Sequence, residues 1–257
     1  MIHLTYAAAT HPGKIRSGNE DNFRINDEWK KDLQLQEFSL HGYHPAESFL
    51  AVVCDGMGGE ANGEIASLHS VEQFQRHSLK ELPSAIIEDL NHANDVICEM
   101  ILANKGIRSG STVCSLYADE GCIYCMSLGD SRIYHFHNGI LTRLTKDQNR
   151  AQALLEAGLI SAEQTKHFPK GKVLMQYIGI FPEESELLPQ IIGPQKMIED
   201  DIYLLCSDGL TDMVSDEEIQ DILQNQSPEK MIDALISLAN LHGGKDNITA
   251  IVIRLTK

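Results

Sequence analysis

Residues 111–144 read STVCSLYADEGCIYCMSLGDSRIYHFHNGILTRL, and the fold is decided there. Segments 111–117, 122–128, 132–137 and 140–144 are of strand length, rich in β-branched and aromatic residues, and separated by turn-forming residues. Asn138-Gly139 joins the last two and is a strong tight-hairpin signal, because a type I′ turn needs positive φ at both central residues. An antiparallel meander is predicted. Upstream, 48–54 (SFLAVVC) is a continuous apolar run that ends on Asp55-Gly56 and reads as a buried strand. Residues 201–207 (DIYLLCS) repeat that design before Asp208-Gly209, and 247–255 predicts a closing strand. Apolar residues at three- and four-residue spacing predict helices over 63–80 and 84–104.

A further helix is predicted near 151–157, with capping boxes at Ser161-Ala-Glu-Gln164 and Ser215-Asp-Glu-Glu218 and a first-position proline at Pro228. Strands and helices in segregated blocks with hairpin connections give an α+β class, antiparallel sheets covered by helices. No repeat or linker divides the chain, so one domain over 1–257 is expected, with a surface insertion over 147–186.

The composition narrows the function. Forty-two per cent apolar residues in 257 can fill a substantial core. A net charge of −16 repels polyanions and argues against nucleic acid or an anionic membrane surface as partner. The start MIHLTYAAATHPGK lacks a secretory pattern, and no run approaches the roughly 18 apolar residues of a membrane span, so a cytoplasmic protein is expected. The six cysteines sit mostly in apolar runs and are expected to be reduced. Cys122 and Cys125 form a CxxC without the second pair that a zinc site needs. The 11 histidines show no HxxxH or HExxH spacing and are read as ordinary surface or core residues.

Four acidic motifs stand at strand ends or in glycine-rich turns: Arg16-Ser-Gly-Asn-Glu20-Asp21, Asp55-Gly-Met-Gly-Gly59, Ser207-Asp208-Gly209 and Gly243-Gly-Lys-Asp246-Asn247. Hard divalent cations take oxygen ligands, and glycine lets backbone approach closely. A pair of such ions activates water and clamps a phosphoryl oxygen. One Asp-Gly alone is most often a turn; the ordered set carries the signal.

That set resembles the type 2C metal-dependent protein phosphatases in their compact bacterial form. The resemblance rests on Gly13-Lys-Ile-Arg16-Ser-Gly-Asn-Glu20-Asp21, Val53-Cys-Asp55-Gly-Met-Gly-Gly59, Gly110-Ser-Thr112, Gly129-Asp130-Ser-Arg132, Leu144-Thr-Lys-Asp147, Ser207-Asp208-Gly-Leu-Thr-Asp212 and Gly243-Gly-Lys-Asp246-Asn247-Ile-Thr249. It implies a sandwich of two antiparallel sheets flanked by helices, with two Mn²⁺ or Mg²⁺ ions in a cleft at one edge. It makes Asp55 the carboxylate bridging both metals, and puts the Gly56 carbonyl and Glu20 on the second metal. Asp208 and Asp246 become ligands of the first, Arg16 the phosphate anchor, and Asp130 and Asp212 positions for a third, weaker metal.

The implied chemistry is in-line attack by a metal-bridging hydroxide on phosphoserine or phosphothreonine in proteins, reversing a cognate Ser/Thr kinase system. A monomer is expected. The alternative is a pseudophosphatase that keeps the fold as a regulatory binding module. The chain departs from the family pattern at Met57, where many eukaryotic members have histidine, and at His11, Gln148 and Gln176, where relatives often have Asp, His and Arg. Segment 147–186 resembles the family's variable flap.

Overall fold

The computed structural model describes residues 2–58, 62–165, 168–224 and 226–257. They form strands β1 (His3–His11), β2 (Asp21–Ile25), β3 (Glu28–Trp29), β4 (Phe38–Pro45), β5 (Phe49–Gly58), β6 (Ser109–Ser111), β7 (Val113–Asp119), β8 (Cys122–Leu128), β9 (Arg132–His137), β10 (Ile140–Arg143), β11 (Gln190–Lys196), β12 (Ile202–Cys206) and β13 (Ile248–Thr256). The helices are α1 (Asn62–Gln73), α2 (Ser84–Ala103), α3 (Arg150–Glu156), α4 (Ala162–Thr165), α5 (Asp208–Thr211), α6 (Asp216–Ile222) and α7 (Pro228–Leu241).

Two antiparallel sheets face each other. One has the order β10-β9-β12-β13-β1-β4 and the other β11-β8-β7-β5-β2-β3, with β6 beside the end of β5. Between them lies a core that includes Leu4, Phe23, Val53, Leu116, Tyr203, Leu205 and Ile251. On the outer face of the first sheet, Leu204, Ala250 and Val252 pack against Leu210, Met231 and Leu235 of α5 and α7. On that of the second, Val52 and Leu50 meet Ala66 of α1 and Ile86, Leu90 and Ile97 of α2. The layers run helix, sheet, sheet, helix, the α+β sandwich expected. Strands such as β5, β7 and β12 are covered on both faces, which is why their sequences are apolar runs rather than alternating ones.

The local signals translate directly. Asn138 and Gly139 have φ of 49° and 80°, as a primed hairpin turn requires. Both capping boxes form: Gln164 and Ser161 exchange bonds at the head of α4, and Glu218 and Ser215 at the head of α6. All six cysteines are free.

Four details differ from the sequence reading. The meander is split, β7 and β8 belonging to one sheet and β9 and β10 to the other, so that Gly129-Asp130 is a crossing between layers. The helix predicted over 63–80 ends at Gln73, because the following segment is tied across the layer: Asp89 accepts from Gln75 N at 2.8 Å and Asp119 from Leu79 N at 2.8 Å. The strand predicted to end at residue 54 continues to Gly58, since β6 offers it a partner register of Gly56 with Ser111. Strands β1 to β4 and β11 were not anticipated; β1 is alanine-rich and β4 half-exposed at a sheet edge. Among the described residues no helix is long and apolar enough to cross a membrane.

Leu205 is fully buried between the sheets. Leu205→Ala is expected to lower unfolding free energy by about 2–5 kcal/mol in urea denaturation; a loss below about 1 kcal/mol would contradict this core.

Candidate metal and phosphate site

The carboxylates come together because strands from both sheets end at the same edge. Asp21 and Asp55 are paired in the β2–β5 register. Thr112 fixes Asp55 from the junction of β6 and β7, donating its amide to the Asp55 carbonyl at 2.9 Å while its hydroxyl accepts from the Asp55 amide at 3.2 Å. That hydroxyl also bonds Ser131 at 2.7 Å, beside Asp130 at the crossing between sheets. From the first sheet, β12 delivers Asp208 as the first residue of α5 and β13 begins just after Asp246. A side chain at Gly56 would put its Cβ 2.1 Å from the Gly63 carbonyl oxygen, and one at Gly209 1.9 Å from that of Asn247, so these backbones approach only as glycine.

Two polar networks hold the edges in place. The Asn247 side chain accepts from Glu20 N at 2.8 Å and donates to the carbonyls of Pro12 at 3.0 Å and Gly18 at 2.8 Å, clamping the loop of Arg16 and Glu20 onto β13. Beneath it, the buried Asp21 carboxylate accepts from the hydroxyls of Ser207 and Thr249, both at 2.7 Å. Thr249 in turn bonds Thr10 at 2.7 Å, and Thr10 accepts from Asn19 at 2.9 Å.

The outcome is a cleft of about 600 Å³ lined by Arg16, Glu20, Asp55, Gly56, Asp130, Asp208 and Asp246, with Met57, Arg108, Lys172 and Tyr177 among its other walls. Asp212 reaches the same cluster through Lys172, whose ammonium bonds Asp208 at 2.7 Å and Asp212 as well. Arg16 donates to Asp246 at 2.7 Å and its side chain stays 52% exposed. Asn149 donates to Asp130 at 3.3 Å.

So many carboxylates in one place perturb one another. Burial, then Asp21, Asp208, Asp130 and Asp246, push Asp55 well above the ordinary carboxylate range. Burial and Asp208 push Asp130 up to about 7. Burial raises Glu20 to about 6 against the opposing pull of Arg16. Asp21 also rises to about 6 through burial, although the Thr249 and Ser207 hydroxyls act in the other direction. Asp212 is raised by burial and Asp208. Burial disfavours the Lys172 ammonium, but Asp208 and Asp212 outweigh it and hold its pKa above the usual value. The donor set is all oxygen, and its carboxylates outnumber the Arg16, Arg108 and Lys172 cations that share the cleft, which fits hard divalent ions.

The variant positions are structural. Gln148 accepts from Gly129 N at 2.8 Å and donates to the Leu188 carbonyl at 2.7 Å. Gln176 bonds the backbone of Glu186 and Leu188, holding the far end of the 147–186 segment. His11 accepts from Gly13 N at 2.9 Å. Lys172 was not singled out by the sequence, where a lysine in a polar loop carries no signal. A further group was also missed: His135, His137 and Asp201 place ligand-type atoms within 4.8 Å of one another at the opposite end of β9 and β12. Its trace in the sequence is His135-Phe-His137, two histidines on one face of a strand.

Residues 29–243 match the family description "Protein phosphatase 2C". The chain belongs to the protein phosphatase 2C family. It is 29% identical over 254 residues to "Serine/threonine phosphatase stp" of Listeria welshimeri, covering 95% of this chain and 93% of that one. The phosphatase 2C fold is equally clear: the Mycobacterium tuberculosis serine/threonine phosphatase PstP/Ppp superposes with a TM-score of 0.83 at 28% identity, over 99% of this chain and 100% of that one. The catalytic domain of PstP in complex with two manganese ions superposes with a TM-score of 0.77 at 27% identity, over 100% of both chains.

The raised carboxylates set the pH response of the metal-free protein. Each releases its proton at higher pH when folded than when unfolded, so the folded state binds more protons between those values. Stability is full below the unfolded carboxylate pKa and is lost as pH rises through about 6 to about 7, the folded values of Glu20, Asp21 and Asp130. Thermal melts in chelator should show Tm falling from about pH 5 to about pH 8, with Mn²⁺ restoring it at the upper end; a Tm that rises with pH would contradict the cluster's charge state.

Proposed function

We propose that this cleft is a two-metal centre that hydrolyses phosphoserine and phosphothreonine in proteins. Asp55, Asp208, Asp246, Glu20 and the Gly56 carbonyl would hold the ions, Asp55 being shared between them as the family resemblance implies. The observation that carries the reading is that carboxylates from four separate motifs line one cleft with an exposed arginine at its rim. Mn²⁺ or Mg²⁺ bound there would supply a water of lowered pKa and a clamp on the phosphoryl oxygens.

The chain's own groups do the rest. Arg16 has its guanidinium anchored to Asp246 through one nitrogen, leaving the other donors of its planar fork for phosphate oxygens. Met57 lines the cleft and has no proton to give, so it does not serve as an acid for the leaving alkoxide. Asn247 keeps Arg16 and Glu20 in register with Asp246 through backbone bonds on both sides of the loop. Lys172 sets its ammonium on Asp208 and on Asp212, the latter one of the two residues, with Asp130, to which the family resemblance assigns a third metal, and there it takes the place of an ion.

The chain acts as one domain over 1–257, with 147–186 as a flap that selects substrate. Its base is tied down by Arg150 N to the Val173 carbonyl at 2.9 Å and Met175 N to that of Gln148 at 2.8 Å. Val173 and Met175 stay more than half exposed, offering apolar contact to a protein substrate beside the cleft. Substrate phosphoesters of this kind are made by Ser/Thr kinases, which are the opposing partners. The state proposed for the chain is a monomer.

Asp208→Ala should reduce Mn²⁺-dependent hydrolysis of p-nitrophenyl phosphate and a phosphothreonine peptide by roughly 10²-fold or more. Wild-type protein that binds Mn²⁺ yet turns over neither substrate would replace this reading with a pseudophosphatase. Arg16→Ala should weaken peptide kcat/KM by about tenfold to a hundredfold while Mn²⁺ affinity changes little; an unchanged kcat/KM would remove Arg16 from phosphate binding. Lys172→Ala should raise the Mn²⁺ bound per chain by one in calorimetric titration, and an unaltered stoichiometry would show that its ammonium holds no ion's place.

A further inference from the structure

The second cluster lies about 20 Å from the cleft along β12, since Asp201 precedes that strand and Asp208 follows it. His135 and His137 alternate on β9 and so share a face, and the β9–β12 register sets His135 opposite Tyr203, with Asp201 beside His137. His135 Nε2 is 2.8 Å and His137 Nδ1 2.5 Å from the two oxygens of the Asp201 carboxylate. Asp201 is 1% exposed, and among the described ion pairs its partners are these two imidazoles alone. A carboxylate so deeply buried beside no permanent cation calls for a positive charge.

We propose that His135, His137 and Asp201 form a separate binding site for a borderline transition-metal ion of the Zn²⁺ class. Two imidazole nitrogens and one carboxylate oxygen suit Zn²⁺, Co²⁺ or Ni²⁺ and do not suit Mg²⁺, in contrast to the all-oxygen cleft. The ligand atoms lie within 4.8 Å of one another, close enough to converge on one ion with a fourth position left to water. The site is partly built in advance: His135 stacks on Tyr203 at 4.6 Å and 15°, which sets its ring plane. His137 Nε2 lies 2.8 Å from Asn138 Nδ2, and that amide, turned over, offers its oxygen to an Nε2 proton and frees Nδ1 as a ligand. Binding would replace two N–H···O bonds with three metal bonds and pin the end of β9 to the start of β12.

The test titrates Zn²⁺ alone into chelator-stripped full-length protein, by calorimetry in excess Mg²⁺ to fill the cleft. Wild type and Asp246→Asn should each bind one Zn²⁺ per chain, and His137→Gln should weaken that binding at least about 100-fold. His137 lies on a partly exposed hairpin strand, so the variant is expected to fold, checked by circular dichroism. Co²⁺ absorption gives a second readout, showing a histidine-ligated tetrahedral spectrum in wild type that His135→Ala abolishes. Superimposable Zn²⁺ isotherms for wild type and His137→Gln, or loss of the Zn²⁺ event in Asp246→Asn, would overturn the site and leave a hydrogen-bonded His–Asp–His cluster.

Discussion

Burial of several carboxylates side by side at one edge of the sandwich is the constraint around which the molecule is arranged. Asp21, Asp55, Asp130 and Glu20 are each raised by burial and, beyond that, by neighbouring carboxylates. Each added charge in such a place costs free energy that packing elsewhere must offset. The layered core supplies that offset, with three apolar clusters on either side of and between the sheets. The polar scaffold then decides where the charges sit: Asn247 ties the Arg16 loop to β13, and Ser207 and Thr249 absorb the deepest carboxylate. Stability and function pull apart here, since the cation that relieves the repulsion is also the agent of the chemistry.

Much of this was legible in the sequence for physical reasons. An apolar run that ends in Asp-Gly reads correctly, at 201–207 as β12 before Asp208, because burial on both faces removes polar alternation and leaves the run as the signal. Asn138-Gly139 and the two capping boxes read correctly because their chemistry is local. The candidate residues Arg16, Glu20, Asp55, Gly56, Asp130, Asp208 and Asp246 line one cleft, and Asp212 joins them through Lys172. What escaped is long-range. The sheet change at Gly129-Asp130 leaves no mark, since a meander and a split meander share the same strand pattern. The end of α1 is set by Asp89 and Asp119, residues that only tertiary structure brings near.

The two sites missed by sequence reading share one cause. Lys172 meets Asp208 and Asp212 only in the folded chain, from about forty residues away, and Asp201 meets His135 and His137 only through pairing of strands more than sixty residues apart. Spacing rules for metal sites detect ligands that a single helix or turn presents, and they are blind to ligands assembled across a sheet. The result is a chain whose two ends of one sheet carry donors of opposite character, hard oxygens at one and imidazoles at the other.

The most direct test of the account is an anomalous difference map from crystals grown with Mn²⁺. It predicts two peaks about 3.5–4 Å apart with the Asp55 carboxylate between them, one contacted by Asp208 and Asp246 and the other on the side of Glu20. A map with no paired peaks at Asp55, in crystals whose protein is active, would contradict it.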